Sequence, residues 1–490
     1  MADHQVQGYA SSAKMNAFVF LVASIAAIAG ILFGFDTGVI SGAVLFLKDE
    51  FGLNAWTEGI LVGAVLLGAL LGSGVSGRFA DYSGRRNLLL WTALIFLVGT
   101  ILSATALSLL TLTLSRLVVG FAIGVASFTA PLYISEVAPP KYRGALVSLN
   151  QLAITLGILG SYAVDTYFAD TGSWRWMLGM GIVPAIILFM GVLLLPESPR
   201  WEVLKGRIDK ARHTLSRVRG GSDRAEVEAE LRDIQGSITE RQDWHLLFQR
   251  WLRPALLIGL GLAFFQQCTG INTIIYYAPS IFQMAGFQSA SVAILATAGI
   301  GVVNTLFTIV ALPLIDVWGR RPLLLMGMGG MALSLLLLSV AFQLGSGIGV
   351  LKWIAFGSMI LYIACFAMSL GPIMWLMIAE TFPLEVRGVG SSVAVSACWG
   401  FNMIVALTFP RLVEVWGAAG AFLLYGVCAA GGLWFVFRCV PETKGMELEQ
   451  IEANLRAGYR ARDLGQRIDL GEQPVTEPQG GLLDEEQVNA

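Results

Sequence analysis

The sequence predicts an all-α integral membrane protein, with twelve transmembrane helices in two pseudo-symmetric six-helix bundles. Three observations lead there. Of 490 residues, 56% are hydrophobic and only 13% are charged, with a mean hydropathy of +0.70, whereas a soluble globular chain carries roughly 25% charge. Apolar stretches near the ~20 residues that a bilayer requires recur twelve times. Short polar motifs also repeat between the two halves of the chain, which marks a fold assembled from like units with a ligand site between them.

Taken in order, residues 1–16 are polar and read as a cytoplasmic N-terminal segment. Apolar spans at 17–40, 59–77, 88–106, 111–131, 146–167 and 177–195 make an N-terminal bundle over 17–196. The first span lacks a preceding basic region and a cleavage site, so it reads as retained. Residues 197–253 are the most charged part of the chain, with mixed-charge runs such as 223–234, and read as a cytoplasmic helical linker. The C-terminal bundle, 254–440, holds spans at 254–279, 292–313, 323–344, 353–378, 390–410 and 418–437. The tail, 441–490, is polar and acidic toward its end, and reads as disordered after about Arg462.

Charge gives the orientation. Arg78, Arg85, Arg86, Lys141, Arg143, the linker, Arg320, Arg321 and Arg387 fall on alternate connections; the opposite ones hold little more than Lys48, Arg175, Lys352 and Arg411. The positive-inside rule then places both termini in the cytoplasm. A net charge of -2 argues against a nucleic-acid partner. The five cysteines, Cys268, Cys365, Cys398, Cys428 and Cys439, follow no disulfide or zinc pattern. The three histidines lie outside the spans, so no histidine relay crosses the membrane. There is no Gly-x-x-x-x-Gly-Lys-Ser/Thr loop for ATP, no metal cluster and no nucleophile–histidine pair, so an enzyme is not expected and no cofactor is implied.

Two places in the spans are costly enough to need a reason. The stretch Gln266-Gln267-Cys268-Thr269-Gly270-Ile271-Asn272-Thr273-Ile274-Ile275-Tyr276-Tyr277 puts three carboxamides and two phenols in an apolar segment. Each such group buried without a partner costs roughly 2–7 kcal/mol. They are expected to face a wet, protein-lined cavity, which suits a neutral ligand with many hydroxyls. The bland alternative is hydrogen bonding between helices as packing. On an unbroken helix Gln267 and Asn272 point apart, and Gly270 between them allows an unwinding that brings them together. The second place is Asp36, the only ionisable residue from Phe18 to Leu47. An ionised carboxylate there costs roughly 2.5–3.5 kcal/mol to insert. Arg116, the only charge between Arg86 and Glu136, is its natural partner. Burial favours an acid's neutral form and a nearby cation its ionised form, so such a pair can carry a proton between two sides; it can also be a static ion pair.

The internal repeat is specific. Gly77-Arg78-Phe79-Ala80-Asp81-Tyr82-Ser83-Gly84-Arg85-Arg86 recurs as Leu314-Ile315-Asp316-Val317-Trp318-Gly319-Arg320-Arg321. Glu136 followed by Arg143-Gly144 recurs as Glu380 followed by Arg387-Gly388, and Pro196-Glu197-Ser198 as Pro441-Glu442-Thr443. Together with Gln-Gln-x-x-Gly-x-Asn and Pro-Glu-Thr-Lys-Gly, and over nearly all of 18–451, these motifs make the chain resemble the sugar porter family of the major facilitator superfamily, most similar to bacterial proton-coupled symporters of the xylose and galactose type.

The resemblance implies transport of a monosaccharide, hexose or pentose, with a proton across the cell membrane by alternating access. It implies that Asp36 and Arg116 couple the proton, and that Gln151, Gln266, Gln267, Asn272, Tyr277, Asn304, Gly371, Trp375 and Trp399 contact the sugar. Amides pair with hydroxyls, and indoles cover the C–H face of a pyranose. Cys398 departs from the family pattern, where many members have an amide. The charged motifs read as gates: Asp81 with Arg85 and Arg86, Glu136 with Arg143, Asp316 with Arg320, Glu380 with Arg387, and Glu197 in addition. Gly270 and Pro372 are candidate hinges. A proton-independent sugar or polyol facilitator, and a non-transporting sensor on the same scaffold, stay open as alternatives. The expected partners are the sugar, the proton and the lipid bilayer, and the chain is expected to work as a monomer.

Overall fold

The computed structural model describes residues 16–139, 142–220, 224–237, 247–345, 351–383, 386–446 and 448–466. Most of the N-terminal segment, Lys141, part of the linker and the tail beyond 466 lie outside the described residues. Among the described residues the regular structure is entirely helical.

The first half is α1 (Ala17–Phe51), α2 (Ala55–Ser83), α3 (Arg85–Ala104), α4 (Leu109–Val137), α5 (Arg143–Phe168) and a sixth span in two pieces, α6 (Trp174–Gly179) and α7 (Ile182–Leu193). Helix starts follow local chemistry. The Asn16 side chain accepts from Phe18 N at 3.1 Å. Asn54 with Thr57, and Ser108 with Thr111, form reciprocal capping boxes, which satisfy amides that the first turn otherwise leaves orphaned. The linker folds into α8 (Pro199–Leu204), α9 (Ile208–Val218) and α10 (Arg224–Ser237). These bury their own small core of Val203, Ala211, Leu215, Val227 and Leu231.

The second half repeats the plan. Its first span is broken into α11 (Arg253–Cys268) and α12 (Ile271–Met284), followed by α13 (Ala290–Trp318) and α14 (Arg320–Leu344). Its fourth is broken into α15 (Leu351–Met368) and α16 (Leu370–Thr381). The last helix, α17 (Arg387–Cys439), runs 53 residues, about 80 Å at 1.5 Å per residue, far beyond a ~30 Å hydrocarbon core. Gly417 inside it has φ +69° and ψ 168° and divides it into two spans. Eleven helical segments among the described residues are long and apolar enough to cross a membrane; with α17 counted as two, the twelve expected spans are present. The tail is not all irregular: α18 (Leu448–Arg456) docks through Ile451 and Leu455.

Within the first half α1 packs on α5 and α2 on α4; within the second, α14 packs on α15 and α17, and α11 on α17. The halves meet through α2 with α17, α5 with α13 and α1 with α12. Polar ties across that seam include Ser291 Oγ donating to Asp170 Oδ1 at 2.7 Å and Tyr162 OH donating to the Ile275 carbonyl at 3.2 Å. Asp170 lies at the end of the bundle opposite the arginine-rich loops, so this tie joins the two halves on that side.

Candidate functional site

The break between α11 and α12 builds the site. Gly270 adopts φ +86° and ψ 20°, a left-handed conformation natural to glycine. The unwinding lets Asn272 reach back, with Nδ2 donating to Gln267 Oε1 at 2.6 Å. Gln267 Nε2 donates in turn to Gln266 Oε1 at 3.0 Å, and Gln266 Nε2 to the Leu370 carbonyl at 3.1 Å. Leu370 opens α16 just after the second break, which falls at Ser369 rather than at Pro372. The expected convergence of the three amides at Gly270 is thus present. Cys398 of α17 joins the chain, its Sγ lying 3.1 Å from Gln267 Nε2 and 3.4 Å from Gln266 Oε1. Gln266 and Gln267 are each 4% exposed, turned into protein and away from the bundle surface.

Trp399, next to Cys398, is buried against Phe33 of α1, ring centroids 5.2 Å apart. Its indole N–H has no partner among the described residues. It shares a small hollow, about 10 Å³, with Phe33, Asp36, Thr37, Val65, Leu66, Arg116, Ile123 and Tyr276. Asp36 and Arg116 form a buried ion pair there. The pair expected from two isolated charges is therefore made, and it stands on the wall facing the second half.

The remaining expected contacts divide. Asn304 is buried and Gln151 half-buried, and neither side chain makes a hydrogen bond among the described residues; their helices, α13 and α5, pack on each other across the seam. Gly371 is buried beside the broken end of α16. Trp375 is 37% exposed. Tyr277 turns its hydroxyl to the Ala406 carbonyl, 3.2 Å away. Its ring lines a second cavity of about 470 Å³, with Lys48, Glu58, Ser280, Gln283 and Phe409, near the end opposite the arginine-rich loops. It is Tyr276 that faces Asp36, with Asn402 Nδ2 donating to its hydroxyl at 3.4 Å. Sequence reasoning does not single out Tyr276 or Asn402: two adjacent tyrosines offer no sign of which one points inward until the helix phase after the break is known.

The charged loops form two matching networks. Arg85 Nη2 donates to Glu136 Oε1 at 3.0 Å, and Glu197 Oε1 accepts from the amides of Arg85, Arg86 and Ser198 at 2.9, 3.0 and 2.9 Å. In the second half Arg320 Nη2 donates to Glu380 Oε1 at 2.9 Å, and Glu442 accepts from the amides of Arg320 and Arg321, each at 3.0 Å. Asp81 and Asp316 add outer contacts to Arg85 and Arg320 at 3.2 and 3.5 Å. The expected pairs Glu136–Arg143 and Glu380–Arg387 are not formed. Arg85 and Arg320, each placed after a left-handed-region glycine, reach those glutamates first. Arg387 instead folds back to the Phe382 carbonyl, its Nε 3.1 Å away, and Arg143 stands among Arg200, Arg219 and Glu230. Arg86 turns to the Val192 and Leu193 carbonyls. Each of these ion pairs joins residues of one half; none of them bridges the two. Burial pushes the Glu197 carboxyl above its ordinary 4.5, opposed by the three amide bonds and by Arg85.

Comparison with known proteins adds an independent line. The family described as sugar (and other) transporter matches residues 22–455. A D-xylose transporter of Levilactobacillus brevis is 44% identical over 434 residues, covering 88% of this chain and 94% of that one. The galactose-proton symporter of Escherichia coli (strain K12) is 40% identical over 467 residues, covering 95% and 99%. Among solved structures, the partially occluded inward-open conformation of the xylose transporter XylE from E. coli matches with a TM-score of 0.77 at 30% identity, covering 88% of this chain and 100% of that one.

Proposed function

The chain belongs to the sugar transporter family, and on that premise we propose that it is a secondary transporter moving a monosaccharide together with a proton by alternating access. It carries out no covalent chemistry on its cargo. The two halves over 17–196 and 254–440 act as the moving bodies, and the seam between them opens to admit the sugar.

In this reading Gln266, Gln267 and Asn272 offer amides to sugar hydroxyls, with Gln151 and Asn304 from the facing helices. Trp399 and Trp375 offer ring faces and N–H donors, and Gly371, packed against Phe366, keeps the chain close at the break beside Ser369. Tyr277 shapes the wall through its ring while its hydroxyl holds α17. Asp36 takes the proton and Arg116 neutralises it when the proton is gone. The observation that carries the reading is that the Asp36–Arg116 pair stands on the wall of the same hollow as Trp399, so charge and cargo share one seam. The arginine-rich face is cytoplasmic by the positive-inside rule. There the Arg85–Glu136 and Arg320–Glu380 networks, with Asp316 and Glu197, brace the loops of each half so that it moves as a unit. Arg143 and Arg387, not engaged by those glutamates, are the cations available to the opposite half when that face closes. The galactose and xylose relatives support a hexose or pentose as cargo, and a single chain holds the complete site.

Purified protein in proteoliposomes tests this. Labelled D-xylose and D-galactose are offered with and without an inward proton gradient, and external pH is followed. Uphill accumulation with alkalinisation of the medium is expected, and Asp36→Asn should abolish accumulation while sparing sugar exchange. Full accumulation by Asp36→Asn would remove the proton-carrying role.

A further inference from the structure

The hollow that joins Asp36 to the second half has an uneven supply of hydrogen-bond donors and acceptors. Asp36 Oδ2, Arg116 Nε and Trp399 Nε1 are all buried on its residues without a partner among the described residues. The Tyr276 hydroxyl accepts from Asn402 Nδ2 at 3.4 Å, which leaves its own proton free for the hollow. Arg116 Nε and Trp399 Nε1 are donors only. At about 10 Å³ the space is near the lower limit for one water molecule. The titratable or charged groups around Asp36 are Arg116 from α4 and Tyr276 from α12, and Tyr276 in turn faces Cys398 from α17. The α2 wall is Val65 and Leu66, and α5 adds nothing to it.

We propose that Tyr276, seated by Asn402, is the positioning residue through which the second half reads the charge on Asp36, by way of one water in this hollow. The idea rests on the proton–sugar reading above. With Asp36 ionised, Oδ2 is an acceptor. The donors from Tyr276, Trp399 and Arg116 can then be satisfied by Oδ2 and by the two lone pairs of the water. Protonation adds a fourth donor at Oδ2 and leaves that oxygen only a weak acceptor, so donors outnumber good acceptors in the hollow. Buried donors without acceptors are costly, and the oxygens of an arriving sugar are the acceptors that relieve them. Proton binding thus raises the affinity for cargo, and by linkage cargo raises the affinity for the proton.

Tyr276→Phe removes one donor and keeps the ring; Asn402→Leu removes its seat. Both variants, with Asp36→Asn in parallel, are assayed in proteoliposomes for D-xylose and D-galactose exchange and for gradient-driven accumulation, with KM for exchange measured across pH. For Tyr276→Phe the accumulation ratio should fall about five-fold or more, the lower end of ordinary coupling. Its exchange rate at acidic pH and saturating sugar should fall much less than its accumulation ratio, and the pH dependence of KM should flatten. Asn402→Leu should behave likewise. Wild-type accumulation in Tyr276→Phe, or equal loss of exchange and accumulation, overturns the proposal while leaving symport intact. Accumulation by Asp36→Asn overturns the symport reading, and this proposal with it.

Discussion

Arg85 closes on Glu136 with Nη2 3.0 Å from Oε1 and Nε 2.9 Å from Oε2, the two side chains 7% and 3% exposed. Ser198 Oγ completes the carboxylate from the other side, as Thr443 does for Glu380. Removing one member of such a buried pair strands the other charge, which typically costs about 3–5 kcal/mol. Glu136→Gln should therefore lower the Tm in detergent markedly. Glu380→Gln should lower it less, because Arg320 and Glu380 are 12% and 18% exposed and water can compensate. Equal shifts for the two variants would count against this reading of the burial difference.

Glu197 gives a pH dependence whose sign can be worked out. Burial raises its carboxyl above 4.5, so the folded protein holds that proton more tightly than the unfolded chain. The stabilisation tied to the protonated form is complete below about pH 4.5 and is lost as pH rises through the raised value. A glutamine keeps the acceptor for the three amides and never ionises. Glu197→Gln should match wild type in Tm at the acidic end and exceed it increasingly toward neutral pH. A Tm difference that shrinks as pH rises would reverse the assignment.

The broad plan is legible in sequence because its causes are local. Span length, loop charge and the repeated Pro-Glu-Ser/Thr and Gly-Arg-Arg signals each act over a few residues, and the unwinding at Gly270 follows from one glycine between two amides. The partner choices are not legible in the same way. Glu136 and Arg143 are neighbours in the repeat, yet Arg85, 51 residues away, takes the glutamate, because a glycine turn aims it there. Asp165 escapes sequence reasoning altogether: it sits at the end of an apolar span, and nothing in sequence says that Gly42 of α1 makes room for its carboxylate.

That carboxylate is fully buried. Gly42 N donates to Asp165 Oδ2 at 3.2 Å, and Oδ1 has no partner among the described residues. An isolated charge in such a place is very costly, so what α1 requires is the acceptor rather than the charge. Asp165→Asn should keep Tm, exchange and accumulation near wild type. Gly42→Ala should cost about 1–3 kcal/mol, since its Cβ would overlap the carboxyl group. Loss of accumulation alone in Asp165→Asn would instead mark a second proton-binding acid.

The last test concerns the break that assembles the amides. At Gly270 two penalties coincide: φ is +86°, and a Cβ there would lie 2.6 Å from the Tyr425 ring. The left-handed conformation costs a side-chain-bearing residue about 1–2 kcal/mol, and overpacking typically adds about 1–3 kcal/mol. Gly270→Ala is expected to relieve both by rewinding the segment, which pulls Asn272 away from Gln267. Affinity for sugar should then drop about ten-fold for each 1.4 kcal/mol by which the displaced amides weaken binding, seen as a raised KM for exchange. Adding Tyr425→Leu removes the steric conflict but leaves the backbone penalty, so the double variant should recover KM only in part. Full recovery would show that the clash with Tyr425, rather than the left-handed backbone, is what displaces Asn272 in Gly270→Ala; an unchanged KM in Gly270→Ala alone would detach the break from sugar binding.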